Sequence, residues 1–150
     1  MKTISDMLHE HPFFDNIPTH YVDFIAGCSK NAHFEANQSI ATMGSSAHVF
    51  YLIREGTISL TIDRAPNKPF IYKTLNSGDI VGLNWLIPPY RWTESATTVS
   101  AVKAITIDGS CLKNKCESDP LLGYLLMKKI VSILVQREDE FRLHLLNVYK

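Results

Sequence analysis

The chain has 150 residues, of which 45% are hydrophobic and 20% are charged, and its 15 basic and 15 acidic side chains cancel. These values fit one globular domain with a core of its own. A neutral balance argues against nucleic-acid binding over a broad face, but it allows one small anion site. Because the N-terminus lacks a signal-peptide pattern and no apolar run approaches the ~18 residues that span a bilayer, we expect a cytoplasmic protein without membrane contact.

The first 29 residues are predicted to be helical, since apolar residues recur at helical spacing from Pro18 to Ala26 and Gly27 then gives a stop signal. From about residue 30 to residue 108 the hydrophobic period falls towards two. Short β-branched or aromatic runs predict strands at 39–42, 49–53, 57–62, 70–75, 96–101 and 103–107, with turns at 43–46, 55–56, 65–69 and 76–79. This pattern predicts a mainly β fold, an antiparallel sandwich or barrel, with flanking helices.

One segment, residues 82–93, interrupts the strand pattern. Its apolar, non-alternating sequence and the Pro88-Pro89 pair predict a single helical turn from Leu83 to Leu86. A long excursion inside a barrel is usually functional, so this segment is the first candidate for a binding site.

After Asp108 the helical period returns. Asp108 or Ser110 can cap a short helix through Cys116, and Ser118-Asp119-Pro120 can begin a second helix that continues to about Val148. At 1.5 Å per residue the second helix is about 40 Å long, which is more than a small barrel needs.

Four motifs stand in a characteristic order along the chain. They are Arg54–Leu60 around Gly56, Gly78-Asp79-Ile80-Val81-Gly82, Glu94–Val99 and Asp119–Leu126. With the order of helices and strands, they resemble the cyclic-nucleotide-binding domain family, most of all the effector half of catabolite-activator-type bacterial regulators. The resemblance implies one domain over 1–150, with a helical N-terminus (1–29), a double-stranded β-helix or jelly-roll barrel of about eight strands (30–108) and C-terminal helices (109–150).

In the resembled family, the segment that corresponds to 78–97 is a phosphate-binding cassette, where N–H groups at a helix N-terminus bind a cyclic phosphate. The resemblance implies that a cyclic nucleotide such as cyclic AMP or cyclic GMP, or another small anion, is bound by Gly82, Leu83, Asn84, Arg91, Thr93, Ser95, Ala96 and Thr97.

The cassette departs from the family pattern at two positions. Leu83 stands where the family has a Glu that holds the ribose, and Glu94 stands where it has an Arg that neutralises the phosphate. A carboxylate facing a phosphate is repelled by several kcal/mol in a partly buried site. Arg91 could instead swing into the phosphate position, or it could be a surface residue that stacks on Trp92 or pairs with Glu94. Trp85, Tyr90 and Trp92 could either form an aromatic wall for a ligand or plug the core.

The longer cassette also resembles a group of small single-domain bacterial proteins of the same fold. The shared segments are Pro88-Pro89-Tyr90-Arg91-Trp92, Lys115–Asp119 and Leu143–Tyr149. This second resemblance favours a standalone domain and implies no particular ligand.

The last helix has a heptad-like stripe made of Met127, Ile130, Leu134, Phe141 and Val148, with Arg137 and His144 in the remaining positions. The stripe predicts a homodimer of parallel helices, as in the resembled family. The alternative is that the apolar residues of this helix pack on the barrel, and both can hold if the first half covers the domain and the second half pairs. No helix-turn-helix segment is present, so we expect no DNA binding by this chain alone.

Other chemistry is not indicated by the sequence. The cysteines Cys28, Cys111 and Cys116 are predicted to be reduced thiols, and the six histidines lack metal-ligand spacing. No nucleophile elbow, P-loop or HExxH motif occurs, so we expect no enzyme activity, no metal and no cofactor. The leading hypothesis is a ligand-sensing module that signals through a dimerising helix. The alternative is an interaction protein that has lost nucleotide binding, with a second regulatory protein as a possible partner.

Overall fold

The computed structural model describes residues 1–63 and 68–149, so the turn predicted at 65–69 lies largely outside the described residues. The chain divides into two compact units, Met1–Asn114 and Lys115–Lys150.

The first unit begins with helices and continues with eight strands. The helices are α1 (Ile4–Glu10), a short 3-10 helix (Pro12–Phe14) and α2 (Thr19–Ala26). The strands are β1 (Ser29–Phe34), β2 (Ser39–Ala41), β3 (Val49–Glu55), β4 (Ile58–Asp63), β5 (Pro69–Leu75), β6 (Ile80–Val81), β7 (Ser95–Thr98) and β8 (Val102–Asp108). Helix α3 (Gly109–Ser118) leads from the first unit into the second, which contains α4 (Pro120–Val148).

The strands form two antiparallel four-stranded sheets, in the orders β1-β8-β3-β6 and β2-β7-β4-β5. A core of buried side chains from both sheets includes Ile53, Leu60, Val81, Ala96 and Ala104. The predicted mainly β jelly-roll fold with N-terminal and C-terminal helices is therefore confirmed. The strands β1 and β6 are not among the runs that the sequence pattern predicts, because β1 alternates weakly and β6 has only two residues.

The register of β1 against β8 corrects the prediction that all three cysteines are reduced. Ser29 pairs with Ile107, so Cys28, just before β1, meets Cys111, just after β8. The two form a disulfide with 5.7 Å between their Cα atoms, whereas Cys116 is free. A sequence separation of 83 residues leaves no local signal for this pairing.

A buried histidine joins the N-terminal helices to β3. His11 is only 4% exposed; its Nδ1 accepts the Phe13 N–H at 3.2 Å, and its Nε2 lies 3.1 Å from the Ile53 carbonyl oxygen. Because Nδ1 is an acceptor, Nε2–H must be the donor to Ile53, and the ring is neutral. Burial lowers the pKa of His11, although the hydrogen bond to Ile53 and the carboxylates of Asp79 and Asp15 oppose this shift.

In the second unit, Asp119 caps α4 by accepting the Leu122 N–H, and Pro120 stands in the first turn, as the sequence predicts. Leu122, Leu126 and Ile130 are the buried residues of this helix. Within the described part of the chain, no helix combines the length and the hydropathy needed to cross a membrane.

The neutral His11 ring predicts a specific pH dependence of stability. The unfolded chain binds a proton near pH 6.5 and the folded chain only at lower pH, so the free energy of unfolding should fall as the pH drops below about 6.5, by up to about 1.4 kcal/mol per pH unit. Urea titrations at stepped pH should show that His11→Gln flattens this decline. The same change at the exposed His33 is the control, and an equal flattening by both would contradict the assignment.

Candidate functional site

The segment between β6 and β7 corresponds to the cassette predicted from the sequence. It begins at Gly82, whose backbone conformation favours glycine. Gly82 has φ +93°, a left-handed value that side-chain-bearing residues rarely adopt. Past Gly82, the predicted helical turn from Leu83 to Leu86 is wrong, because the chain forms only an irregular turn at residues 84–85. No helix N-terminus is therefore present in this described segment to direct several N–H groups at a phosphate.

The packing of Trp85 explains why residues 83–86 do not form the predicted helical turn. The Trp85 side chain is 3% exposed and stacks on Phe50, with 5.2 Å between ring centroids and an interplanar angle of 14°. This placement confirms the interpretation of Trp85 as a core plug. Its Nε1 is the one buried side-chain nitrogen or oxygen without a hydrogen-bond partner in residues 1–63 and 68–149.

The Trp92 ring fills the space directly beside Gly82. A Cβ built at Gly82 would lie 2.5 Å from Cη2 of Trp92 and 3.0 Å from its Cζ3, so only glycine fits against this ring. Trp92 is 5% exposed, belongs to the core that also contains Val81 and Ala96, and stacks with Tyr51 at a centroid distance of 6.5 Å. Of the two roles considered for Trp92, the structure therefore shows the core plug.

The backbone around Trp92 is held by the turn between β2 and β3. The Trp92 N–H donates to Ser45 O at 2.8 Å, and the Gly44 N–H donates to Trp92 O at 2.8 Å. Ala47 likewise donates to the Tyr90 carbonyl at 2.7 Å. These bonds make residues 90–92 a short antiparallel extension of the barrel.

Arg91 lies on the outside of this extension. It is exposed, and its Nη1 donates to the Gly44 carbonyl oxygen at 2.9 Å. Neighbouring side chains in an extended segment point to opposite faces, so burial of Trp92 places Arg91 towards solvent. The structure thus does not bring Arg91 to Gly82.

The position where the resembled family has an Arg carries a half-buried carboxylate. Glu94 Oε2 accepts the Thr93 hydroxyl at 3.3 Å. Among the described residues no Lys, Arg or His forms an ion pair with Glu94. The cassette therefore has negative charge where an anionic ligand would need a cation.

The remaining predicted site residues have structural contacts. The Ser95 hydroxyl accepts the Met43 N–H at 2.9 Å, Ala96 is fully buried, and the Thr97 carbonyl accepts the Ser59 hydroxyl at 3.4 Å. Leu83 and Asn84 are half-buried. The structure brings Gly82, Trp92 and Ala96 together. The sequence analysis does not predict that residues 43–45 form hydrogen bonds to Trp92 and Ser95, because its only indication for these residues is a turn.

The described residues also contain no group of three or more His, Cys, Asp or Glu side chains placed to hold a metal ion.

Comparison with known proteins identifies the family. The model of the cyclic nucleotide-binding domain matches residues 31–119. A candidate cyclic nucleotide-binding protein from Geobacter metallireducens GS-15 is similar in structure, with a TM-score of 0.80 and 26% identity over 91% of this chain and 98% of that chain. The Thermus thermophilus catabolite activator protein aligns with a TM-score of 0.73 and 18% identity, over 89% of this chain and 61% of its own.

A third similar structure is the regulatory domain of Toxoplasma gondii PKA in complex with cAMP, with a TM-score of 0.68 and 19% identity over 91% of this chain and 48% of that chain. Since the family model spans more than half of the residues, the chain belongs to the cyclic nucleotide-binding domain family. It has the fold of a ligand-sensing regulatory module.

The contact between Gly82 and Trp92 can be measured by a double-mutant cycle. Gly82→Ala should destabilise the fold both by its φ value and by collision with the ring, while Trp92→Phe removes the colliding atoms. In chemical denaturation, the double variant should be more stable than the sum of the single changes by about 1 kcal/mol or more.

Gly78 provides the matched control, because it has the same φ of +93° but its added Cβ would meet only Pro12, at 3.5 Å. Gly78→Ala and Trp92→Phe should be additive within about 0.5 kcal/mol. Additivity at Gly82 as well would show that Trp92 does not fill the cassette in solution.

Proposed function

We propose that this chain is a non-enzymatic regulatory module that acts by self-association through its C-terminal helix, while its cassette is closed to ordinary cyclic nucleotides. The observation that carries the closed cassette is the Trp92 ring packed on Gly82. A cyclic phosphate bound against Gly82 would have to displace a core side chain and would then face Glu94 rather than an Arg. A single domain over 1–150 and the cytoplasmic location expected from the sequence are part of this proposal.

Two independent free-energy costs oppose the binding of a cyclic nucleotide in the cassette. Moving a buried tryptophan out of a core leaves a cavity, and truncating Trp to Ala typically costs about 3–5 kcal/mol. Repulsion between Glu94 and a phosphate adds to that cost, because a half-buried carboxylate is screened less than one in open water. Each cost alone lowers the affinity for a cyclic nucleotide, and a nucleotide bound against Gly82 would incur both.

The part of α4 from Met127 to Val148 supplies the surface for association. Its exposed side chains include Val131 (55% exposed), Leu134 (48%), Phe141 (52%), Leu145 (40%) and Val148 (63%). With Met127 and Glu138 they follow a 4-3-4-3 spacing, which is the repeat of a two-helix coiled coil. An apolar stripe of this length on a helix surface is typical of a protein interface.

The stripe differs at three positions from the one predicted from the sequence, because Val131, Glu138 and Leu145 replace Ile130, Arg137 and His144. Ile130, predicted to face a second chain, is 9% exposed, whereas Val131 is exposed. We therefore propose a dimer seam through Met127, Val131, Leu134, Phe141 and Val148. Arg142, next to the seam, is held by Asp139 at 2.5 Å and by Glu138 at 4.0 Å, so its charge is partly neutralised.

A substitution in the seam tests association. Phe141→Asp places a charge in the middle of the proposed interface and should convert dimers to monomers in sedimentation-velocity experiments, because a buried unpaired carboxylate is costly. Gln136→Asp, at an exposed position on the outer face of the same helix, is the control and should leave the dimer intact. Wild-type protein that sediments as a monomer at high concentration would contradict the proposal.

Rebuilding the cassette tests why it is closed. Leu83→Glu with Glu94→Arg restores the two charged positions of the resembled family but leaves Trp92 unchanged. We expect cyclic AMP to give no saturable heat with this double variant and measurable heat once Trp92→Val is added, because only then is the phosphate position free. Thermal melts verify that each variant is folded, and binding by the double variant would show that Trp92 is no obstacle.

A second candidate function is sensing of a small anion, and the exposure of Arg91 favours it. A single hydrogen bond to the Gly44 carbonyl holds the guanidinium, and Ser95 contacts the adjacent Met43. An anion that binds at this outer edge would meet a positive charge without displacing Trp92. A cyclic nucleotide held there would be a surface ligand rather than a cassette ligand.

A further inference from the structure

A disulfide joins the end of the N-terminal helices to the start of α3. Cys28 lies between α2 and β1, and Cys111 lies in the first turn of α3. The proposed association through α4 does not use this bond. We propose that Cys28 and Cys111 form a reversible thiol–disulfide site, whose oxidation state sets how firmly the first turn of α3 is held at the junction of α2 and β1.

Non-covalent contacts hold the same turn and remain when the bond is broken. The Asp108 N–H donates to Cys28 O at 3.0 Å, and the Gly109 N–H donates to His48 O at 2.8 Å. The Asp108 side chain accepts the Cys111 N–H at 2.8 Å and so caps the helix. Because none of these hydrogen bonds involves a sulfur atom, we expect them to survive reduction, so losing the disulfide should loosen the turn without unfolding the barrel.

The first turn of α3 is tightly packed, so a movement of this turn would displace its neighbours. A Cβ built at Gly109 would lie 2.8 Å from the His48 carbonyl oxygen and 2.9 Å from Cβ of Trp85. Leu112, directly after Cys111 in the same turn of α3, lies in the interior at 1% exposure. The start of α3 thus packs closely on His48 and Trp85, so a change in how firmly the disulfide holds it is felt by these neighbours.

The two cysteines differ in exposure, which favours attack by a reductant at Cys111. Cys28 is 7% exposed, whereas Cys111 is half-buried. A thiolate of a dithiol or of glutathione therefore attacks Sγ of Cys111, forming a mixed disulfide and releasing Cys28 as a thiolate that takes up a proton. A second reductant thiol then attacks the mixed disulfide, leaving Cys111 as a thiol and the reductant as a disulfide.

The third cysteine is not a partner in this exchange. Cys116 follows Cys111 by five residues, which is about 140° around a helix. Burial raises the pKa of the Cys116 thiol, and the carboxylates of Asp119 and Glu117 raise it further. A protonated thiol is a poor nucleophile, so the redox couple is confined to Cys28 and Cys111 and Cys116→Ser serves as a control.

A reversible disulfide also agrees with the proposed cytoplasmic location. In reducing compartments, disulfides are usually transient and redox-sensing, whereas permanent ones belong to oxidising compartments. This step rests on the cytoplasmic location proposed above, but the redox chemistry of the purified chain is tested independently of that location and of the dimer.

The first experiment is a redox titration of the folded protein in buffers of reduced and oxidised glutathione, with free thiols counted by alkylation and mass spectrometry. We expect the peptides of Cys28 and Cys111 to convert together and reversibly as the ratio changes, in wild type and in Cys116→Ser alike. A bond that is reduced only after denaturant is added would overturn the proposal and make the disulfide a permanent staple.

The second experiment follows amide exchange in oxidised and reduced protein. Exchange in residues 108–114 should rise by about tenfold or more on reduction, while β3 and β4 stay unchanged, because local opening costs less than global unfolding. Cys111→Ser should exchange like reduced wild type and should no longer respond to reductant. Should that variant not fold, reduced wild type supplies the same comparison, and a uniform rise across the barrel or no rise at all would refute the switch.

Discussion

The packing of the Trp92 ring on Gly82 is the contact on which the rest of this site depends. The ring belongs to the core, so the extended segment that carries it, between β6 and β7, is fixed with that face inward. The backbone bonds from Ser45 and Gly44 to Trp92 then attach the segment to the turn between β2 and β3. As a result, the cassette is built as part of the barrel wall rather than as a loop around a ligand.

The positions of the charged side chains in the cassette follow from that one packing contact. With Trp92 inward, alternation along the extended segment sends Arg91 outward, where it bonds to the Gly44 carbonyl. Glu94 remains half-buried with Thr93 as its hydrogen-bond donor. Residues 82–94 thus lack both the helix N-terminus and the inward-facing cation that bind a phosphate. The family's frame of strands and glycines is retained, and the proposed association therefore uses the exposed surface of α4.

The sequence predicts the frame better than the site. Alternating runs, the left-handed glycines and the Asp119-Pro120 helix start are local signals, and the structure confirms β3, β4, β8 and α4. The predicted helical turn at Leu83–Leu86 is wrong because tertiary stacking of Trp85 on Phe50 decides the local conformation. Likewise, the face on which Trp92 lies and the pairing of Cys28 with Cys111 depend on strand register between distant segments, which no local pattern reveals.

Calorimetric titration of the wild-type protein with cyclic AMP, alongside Arg91→Ala, tests the closed cassette most directly. We expect no saturable heat from either protein at ligand concentrations up to about 1 mM, which corresponds to a binding free energy weaker than about −4 kcal/mol. Saturable binding that Arg91→Ala abolishes would move the function to the outer edge of the cassette. Micromolar binding that survives Arg91→Ala would contradict a closed cassette, because the nucleotide would then occupy the position that Trp92 fills.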